Sequence, residues 1–129
     1  MRMVTRHVVP VGEQAAWLDA AEVALKALGA QKGFAGGEIG AAVDQPDLLL
    51  ITTRWDSVGD YRRALSSFDV KMNAMPLLYG AENEPSGFEV LRELGADGAL
   101  TRHTAVIAAD AETVRIREAA APEVSARES

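Results

Sequence analysis

Aromatic, cationic and hydroxyl-bearing side chains converge at one place in the sequence, the stretch LLLITTRWDSVGDYRRAL from Leu48 to Leu65. Its first half is an apolar and branched run of strand length, which predicts a strand that is covered on both faces and ends at Trp55. Asp56 or Ser57 can then cap a helix that carries Tyr61. Trp55 and Tyr61 are therefore predicted to face one cavity and contact its ligand, with core packing as the alternative for Trp55.

His7 is the second candidate for chemistry. It lies in a segment whose alternation predicts a strand with Met3, Thr5, His7 and Val9 on one face. An imidazole has a pKa close to neutral and could serve as the general base for a phenol, although a hydrogen-bonded structural histidine would occupy the same position. His103 is the only other histidine, and no third ligand lies near either one in the sequence, so no metal site is predicted.

Three further residues complete the candidate site. Arg54 could aim at an anionic substrate or pair with an acid such as Asp56. Phe68 and Met72 belong to a segment interrupted by Pro76, which is typical of a core patch or a flexible lid. His7 and Tyr61 are thus the predicted catalytic residues, and the predicted substrate-binding residues are Trp55, Tyr61, Arg54, Phe68 and Met72.

The composition excludes several classes of function. The chain has 129 residues, 48% of them hydrophobic and 25% charged, as expected for a globular domain. Its net charge of −6 argues against a nucleic-acid or anionic-membrane partner, and the absence of cysteine excludes disulfides and thiolate chemistry. The sequence shows neither a signal-peptide pattern nor an apolar run of membrane-spanning length, so a cytoplasmic location is expected.

The periodicities along the chain predict an α+β fold. A strand near the N-terminus is followed by an amphipathic helix from Glu13 to about Gln31, a Gly-rich strand over Phe34–Val43, the central strand–helix unit, and a last strand over Gly87–Leu91. This order is the ferredoxin-like βαββαβ pattern, an antiparallel sheet with two helices on one face. The other face needs a cover, and a second copy of the chain would supply it in a homodimer.

The C-terminal part differs in composition from the rest. Residues 1–91 are predicted to form the ferredoxin-like domain, and residues 92–129 an extension rich in Ala, Glu and Arg. Within the extension, Thr104–Ala108 and Thr113–Arg117 could form a hairpin, and Ala119–Ser129 resembles a solvated tail.

The segments LLLITTRW, DSVGDYRRALSS, PLL and FEVL together resemble the antibiotic biosynthesis monooxygenase family, over roughly residues 2–91. The resemblance implies subunits that pair into a dimeric α/β barrel and a reaction in which O₂ oxidises an electron-rich phenol without metal, flavin or other cofactor. Trp55 and Tyr61 match the Trp and Tyr of the monooxygenase branch, whereas Ile51 replaces its Asn. The haem-degrading branch requires a helix histidine, and the helix Asp60–Ser67 contains none.

Two functions follow as hypotheses. The first is a cofactor-independent monooxygenase that oxidises a phenolic or quinone-like small aromatic molecule. The alternative is a non-catalytic dimeric module for small-ligand binding or assembly, which the missing Asn favours. Haem binding is a third possibility only if His7 replaces the absent helix ligand.

Overall fold

A computed structural model describes residues 1–105, which divide into a compact unit over Met1–Phe88 and a second unit that begins at Glu89. The elements of the first unit are β1 (Arg2–Val8), α1 (Gln14–Gly29), β2 (Phe34–Ala41), β3 (Leu48–Trp55), α2 (Val58–Leu65), α3 (Phe68–Asn73), α4 (Met75–Leu78) and β4 (Gly87–Phe88). A short 3₁₀ turn at Val11–Glu13 precedes α1. No helix among the described residues combines the length and the apolar character needed to cross a bilayer.

The four strands form one antiparallel sheet in the order β2-β3-β1-β4. The two central strands, β1 and β3, pair along the whole of β1, with Thr5 opposite Ile51 and His7 opposite Leu49. This order, with helices inserted after β1 and β3, is the ferredoxin-like arrangement. The predicted α+β ferredoxin-like fold is therefore confirmed.

One face of the sheet carries the core. The predicted alternation of β1 is confirmed, since Met3, Thr5 and His7 are all buried, and the residues of β3 that pair with them are buried as well. Helix α1 covers this face with a stripe of small side chains, Ala21, Ala24 and Ala27, followed by Leu28. Alanines at this spacing let the helix approach the sheet closely, which leaves little room for side chains that do not interlock.

The opposite face of the sheet is only partly covered by the chain itself. Both faces of β3 were expected to be covered, but Leu48, Leu50 and Thr52 are only half-buried within the unit Met1–Phe88. The reason is that the helical residues of the core cluster pack with Met3 and Ile51, on the other side of the sheet.

The helix signals are largely confirmed. The Ser57 side chain caps α2 by accepting a hydrogen bond from the Asp60 amide at 3.0 Å, as its position predicts. The segment after Leu65, which Pro76 interrupts in sequence, forms the two helices α3 and α4. Ser67 caps α3, and Pro76 lies in the first turn of α4, where its missing amide costs no hydrogen bond.

Two strand predictions near the C-terminus are corrected. The last strand of the first unit spans only Gly87–Phe88 instead of Gly87–Leu91. In the second unit β5 (Arg92–Leu94) and β6 (Leu100–Arg102), neither of which was predicted, form a hairpin that is closed by the turn between Gly95 and Gly98. Thr104 and Ala105 lie outside any strand; the remainder of that predicted strand, the one over Thr113–Arg117 and the predicted tail lie outside the described residues.

Candidate functional site

A cavity of about 200 Å³ lies between the sheet and the helices that follow β3. Strand β1 forms its floor, and helices α2 and α4 form its walls. The residues that line it are Met3, Thr5, Tyr61, Leu65, Met75, Leu78, Tyr79 and Ser86. All the polar side chains in this set are hydroxyls, and none of its members is charged, so the cavity suits an uncharged ligand with an apolar body.

The floor of the cavity follows from the alternation of β1. Met3 and Thr5 lie on the core face and reach the cavity, while His7, next on the same face, is 2% exposed and not among the lining residues. The His7 Nε2 atom lies 2.9 Å from the Thr5 Oγ1 atom. Trp17 covers the imidazole from α1, with ring centroids 5.1 Å apart. The Thr5 side chain therefore lies between His7 and the cavity and is hydrogen bonded to the imidazole.

The environment of His7 sets its protonation. Burial lowers the pKa of the imidazole below its ordinary value of 6.5, because the charged form loses hydration, and the negative charge of Glu82 opposes this effect more weakly. His7 is consequently neutral at pH 7. A neutral imidazole has one ring nitrogen free to accept a proton, as the predicted role of general base requires.

Tyr61 and Trp55 are neighbours with different positions relative to the cavity. Their ring centroids lie 6.0 Å apart, but Tyr61 lines the cavity whereas Trp55 is 3% exposed and lies behind it. The Trp55 indole donates a hydrogen bond to the Thr53 hydroxyl at 2.7 Å and packs edge-on against Phe34. Trp55 is thus packed in the core and supports the Tyr61 ring, which lines the cavity.

The start of α2, and with it Tyr61, is held by a buried carboxylate. Asp60 accepts a hydrogen bond from Arg63 at 2.7 Å and lies 3.7 Å from the Lys32 ammonium. The Arg63 hydrogen bond is the main reason that the pKa of Asp60 lies below its ordinary value. Gly33 packs against the same carboxylate with φ of +86°, and a Cβ there would overlap it. The loop before β2 therefore fixes the helix that positions Tyr61.

Arg54 lies on the opposite face of the sheet from the cavity, because it follows Thr53 and precedes Trp55 on an alternating strand. Its guanidinium bonds Glu38 at 3.0 Å and the Ala35 carbonyl at 3.4 Å, and it does not pair with Asp56. The hydrogen bonds that Glu38 accepts from the Thr52 hydroxyl and from Arg54 lower the pKa of its carboxylate.

Phe68 and Met72 also lie away from the cavity. Both project from α3, and their side chains are 79% and 59% exposed. Helix α3 instead contributes Val70 to the core, so the opposite side of this short helix carries the exposed pair. Among the predicted site residues, the structure brings Tyr61 to the cavity and places His7 and Trp55 directly behind its lining.

Sequence reasoning overlooked several lining residues. Thr5 was identified only as a neighbour of His7, although a hydroxyl on the buried face of β1 was the available signal. Tyr79 and Ser86 lie between α4 and β4, outside any helix or strand. Their approach to β1 depends on long-range contacts, such as the hydrogen bond from the Val4 amide to the Ser86 carbonyl at 2.7 Å.

The described residues do not fit a haem. His7, the one candidate ligand that the sequence analysis left open, has its Nε2 engaged by Thr5 and its ring enclosed by Trp17. The cavity of about 200 Å³ is also too small for a porphyrin. Over residues 1–105, no group of three His, Cys, Asp or Glu side chains converges as a metal site would require.

No protein-family model and no curated protein sequence matches this chain. Solved structures do match it. A conserved protein from Methanosarcina mazei Go1 has a TM-score of 0.55 at 15% identity, covering 67% of this chain and 84% of its own. A mutant of SnoaB, a cofactor-independent oxygenase from Streptomyces nogalater, also has a TM-score of 0.55, at 20% identity and with 63% and 82% of the two chains covered.

A third match is a putative antibiotic biosynthesis monooxygenase from Bordetella bronchiseptica, with a TM-score of 0.53, 14% identity, and 81% and 95% of the two chains covered. The chain has the antibiotic biosynthesis monooxygenase fold. The resemblance noted in the sequence is thereby confirmed at the level of fold, the level that identities this low establish. In this antibiotic biosynthesis monooxygenase fold, the cavity lies where β1 meets the helices after β3.

Proposed function

We propose that this chain is a cofactor-independent monooxygenase of the antibiotic biosynthesis monooxygenase family, acting on a small uncharged phenol. One observation carries the proposal: an uncharged cavity lined by apolar side chains and hydroxyls, with a buried imidazole behind one of the hydroxyls. The fold shared with SnoaB, itself a cofactor-independent oxygenase, supports the same reaction class.

The size of the cavity narrows the substrate class. Its volume of about 200 Å³ is below the range of roughly 300–1,000 Å³ that is usual for drug-sized ligands and above the engineered cavity of about 150 Å³ that holds benzene. A single aromatic ring or two fused rings would therefore fit. Leu65, Met75 and Leu78 would contact the faces of the ring, and the hydroxyls of Thr5 and Tyr61 its oxygen.

The proposed reaction needs no oxidant other than O₂. The phenol loses its proton, and the phenolate transfers one electron to O₂ to give a phenoxyl radical and superoxide. The two combine through a new C–O bond to a peroxide anion, which takes back the proton lost by the phenol to become a hydroperoxide; its O–O bond then breaks as the ring carbon loses its proton, giving a quinone and water. The protein's part is to bind the ring in an apolar site, stabilise the phenolate oxygen through hydroxyl donors and exclude water.

We also propose that the chain works as a homodimer and, as the sequence suggests, in the cytoplasm. The support for the dimer is the half-covered face of the sheet, which presents apolar side chains next to charged ones. The apolar members are Val4, Val8, Leu48, Leu50 and Phe88. A second copy laid on this face would cover them and complete a dimeric barrel.

The experiment that tests the function is O₂ consumption by purified, metal-free protein with monocyclic and bicyclic phenols and hydroquinones. We expect saturable uptake with one quinone formed per O₂, strongly reduced in Tyr61→Phe and retained in Met72→Leu, a matched change at an exposed position outside the cavity. Binding of the phenols without any uptake would contradict the oxygenase.

That outcome would favour the second candidate, a non-catalytic module that binds a small aromatic ligand. A specific observation supports this candidate. Ile51 is completely buried in the core, at the position where the resemblance places an Asn in the monooxygenase branch, so no amide is available there to hold oxygen or substrate.

A further inference from the structure

The hydroxyls that line the cavity are not equivalent, because the Thr5 hydroxyl is hydrogen bonded to a buried imidazole. We propose that Thr5 is a catalytic residue that relays the proton of a bound phenol to His7, and that the substrates are phenols that enter uncharged and ionise in the cavity. The inference rests on the proposed function in one respect, that the ligand is a phenol; the proton transfer itself precedes any reaction with O₂.

The geometry leaves one short path for the proton. Thr5 and His7 lie two residues apart on the buried face of β1, with 2.9 Å between Oγ1 and Nε2. Thr5 lines the cavity, whereas the imidazole is enclosed, with Trp17 against one side and Leu49 opposite on β3. A phenol in the cavity therefore meets the Thr5 hydroxyl before it can reach the ring nitrogen.

A threonine hydroxyl has the right valence for this role, since it offers one donor and two acceptor positions. When the neutral imidazole carries its proton on Nδ1, Nε2 accepts from the Thr5 hydroxyl, and an Oγ1 lone pair accepts from the phenol. The phenol O–H bond then breaks as its proton moves to Oγ1, and the original Thr5 proton moves to Nε2. The products are a phenolate and an imidazolium, with no change in total charge.

One charged group near the relay, the Glu82 carboxylate, favours this transfer. Glu82 is the acid whose charge acts on His7, and its backbone amide is anchored to the Arg6 carbonyl at 2.7 Å. Burial, the larger effect on His7, keeps the imidazole neutral beforehand, and the carboxylate together with the phenolate formed in the cavity supplies the negative charge that offsets the cost of burying the imidazolium. The other titratable groups at the cavity are Tyr61 and Tyr79, and the neighbours of His7 on α1 and β3, Trp17 and Leu49, carry no charge.

The same arrangement defines the substrate class. Among the described residues that line the cavity, none carries a charge that could offset a carboxylate or an ammonium group on the ligand, so such compounds would lose hydration without compensation. An uncharged phenol avoids this cost on entry. Its negative charge arises only after binding, together with the positive charge on His7.

The test uses a mononitrophenol, a single-ring phenol whose phenolate absorbs visible light. The absorbance of the bound probe is titrated with pH in the native protein, in Thr5→Val and in Thr5→Ser. Valine keeps the shape of threonine without its hydroxyl, and serine restores the hydroxyl. We expect the bound probe to ionise at a pH at least about one unit higher in Thr5→Val than in the native protein, a tenfold change in its acidity, and the serine variant to recover most of the difference.

A second measurement needs no variant. Proton NMR of the native protein should show the His7 ring signals shift toward the imidazolium position when the nitrophenol is added at pH 7, while those of His103, which lies in the second unit, stay unchanged. A structural hydrogen bond would give no such change. This readout also decides the case if Thr5→Val does not fold.

The outcomes separate the relay from the oxygenase. An unchanged His7 signal, equal ionisation of the probe in Thr5→Val and native protein, or no binding at all would overturn the relay. Ionisation through Thr5 without O₂ uptake by any phenol would overturn the oxygenase and leave the relay standing. Uptake of O₂ that is unchanged in Thr5→Val would overturn the relay and leave the oxygenase standing.

Discussion

The rings of Trp55 and Tyr61 lie 6.0 Å apart at the junction of β3 and α2, but only the tyrosine reaches the cavity. The tryptophan is held behind it by the hydrogen bond to Thr53 and by Phe34. One of the two aromatic residues therefore lines the cavity, and the other packs behind it. Substitution of Tyr61 should accordingly weaken ligand binding, and substitution of Trp55 should lower the stability of the fold.

Tyr61→Phe should weaken binding of a monocyclic phenol about five- to tenfold, because one hydroxyl partner in an apolar cavity contributes about 1 kcal/mol. Trp55→Phe should instead lower the free energy of unfolding by about 2 kcal/mol, through lost packing and the loss of the indole donor to Thr53. Isothermal titration and urea unfolding of both variants measure the two effects. A Trp55→Phe variant that unfolds normally but no longer binds would show that the tryptophan contacts the ligand directly.

His7 should make the stability of the fold depend on pH in a defined window. Its pKa in the folded state lies below the ordinary value of 6.5, so between these two pKa values the unfolded chain binds more protons, and stability falls as the pH drops below about 6.5. Above that pH the contribution is constant. Urea unfolding at pH 5 and pH 7.5 should show this loss in native protein and in His103→Gln.

The variant His7→Gln should lack this part of the pH dependence. The loss caused by protonation of Asp60, whose folded pKa is also lowered, belongs to a separate and more acidic window, below its ordinary value of 3.8. Retention of the full loss between pH 6.5 and pH 5 in His7→Gln would contradict the assignment to His7.

Gly33 should not tolerate a side chain. Its φ of +86° disfavours any other residue, and a Cβ would overlap the Asp60 carboxylate. Gly33→Ala should lower the free energy of unfolding by about 2 kcal/mol or more, since backbone strain and a steric overlap add. The matched control is Gly12→Ala, where nothing lies within 4 Å of the added carbon. Thermal unfolding that is equal for the two variants would contradict the tight junction between Gly33 and Asp60.

The proposed dimer predicts a variant that loses self-association but keeps its fold. Leu50→Glu places a charge in the middle of the half-covered face of the sheet and should convert the dimer to a monomer without unfolding it. Val23→Glu, at an exposed position on α1, should leave the dimer intact. Sedimentation velocity distinguishes the two states. A native protein that sediments as a monomer would rule out this use of the face.

Much of the fold could be predicted because its signals are local. The alternation of β1 assigned Met3, Thr5 and His7 to the buried face, and Ser57 was one of the two residues, with Asp56, that could cap the helix from their position before it. The cover of the second face of β3 could not be predicted from β3 itself, because an apolar run does not show whether its cover comes from the same chain. Helix α4 was overlooked because Pro76 normally breaks a helix, whereas here it lies in the first turn.

The candidate site was less predictable because it depends on which strand faces which helix. Arg54 and Trp55 are adjacent in sequence but point to opposite sides of the sheet, and Glu38 holds the arginine there. Thr5 belongs to the site because it is hydrogen bonded to His7 and because α4 lines the same cavity. The alternation within β1 cannot predict that α4 lies across the cavity from Thr5.

The hydroxyl lining of the cavity bears on turnover as well as on binding. Thr5, Tyr61, Tyr79 and Ser86 can each donate as readily as accept a hydrogen bond. In the proposed reaction the ring keeps its carbon skeleton, loses its hydroxyl donor and gains a second oxygen, so that the quinone presents two carbonyl acceptors, to which these hydroxyls can donate after rotating. The product should then bind almost as well as the substrate, and inhibition by accumulated quinone, relieved by a downstream quinone reductase, is the expected kinetic behaviour.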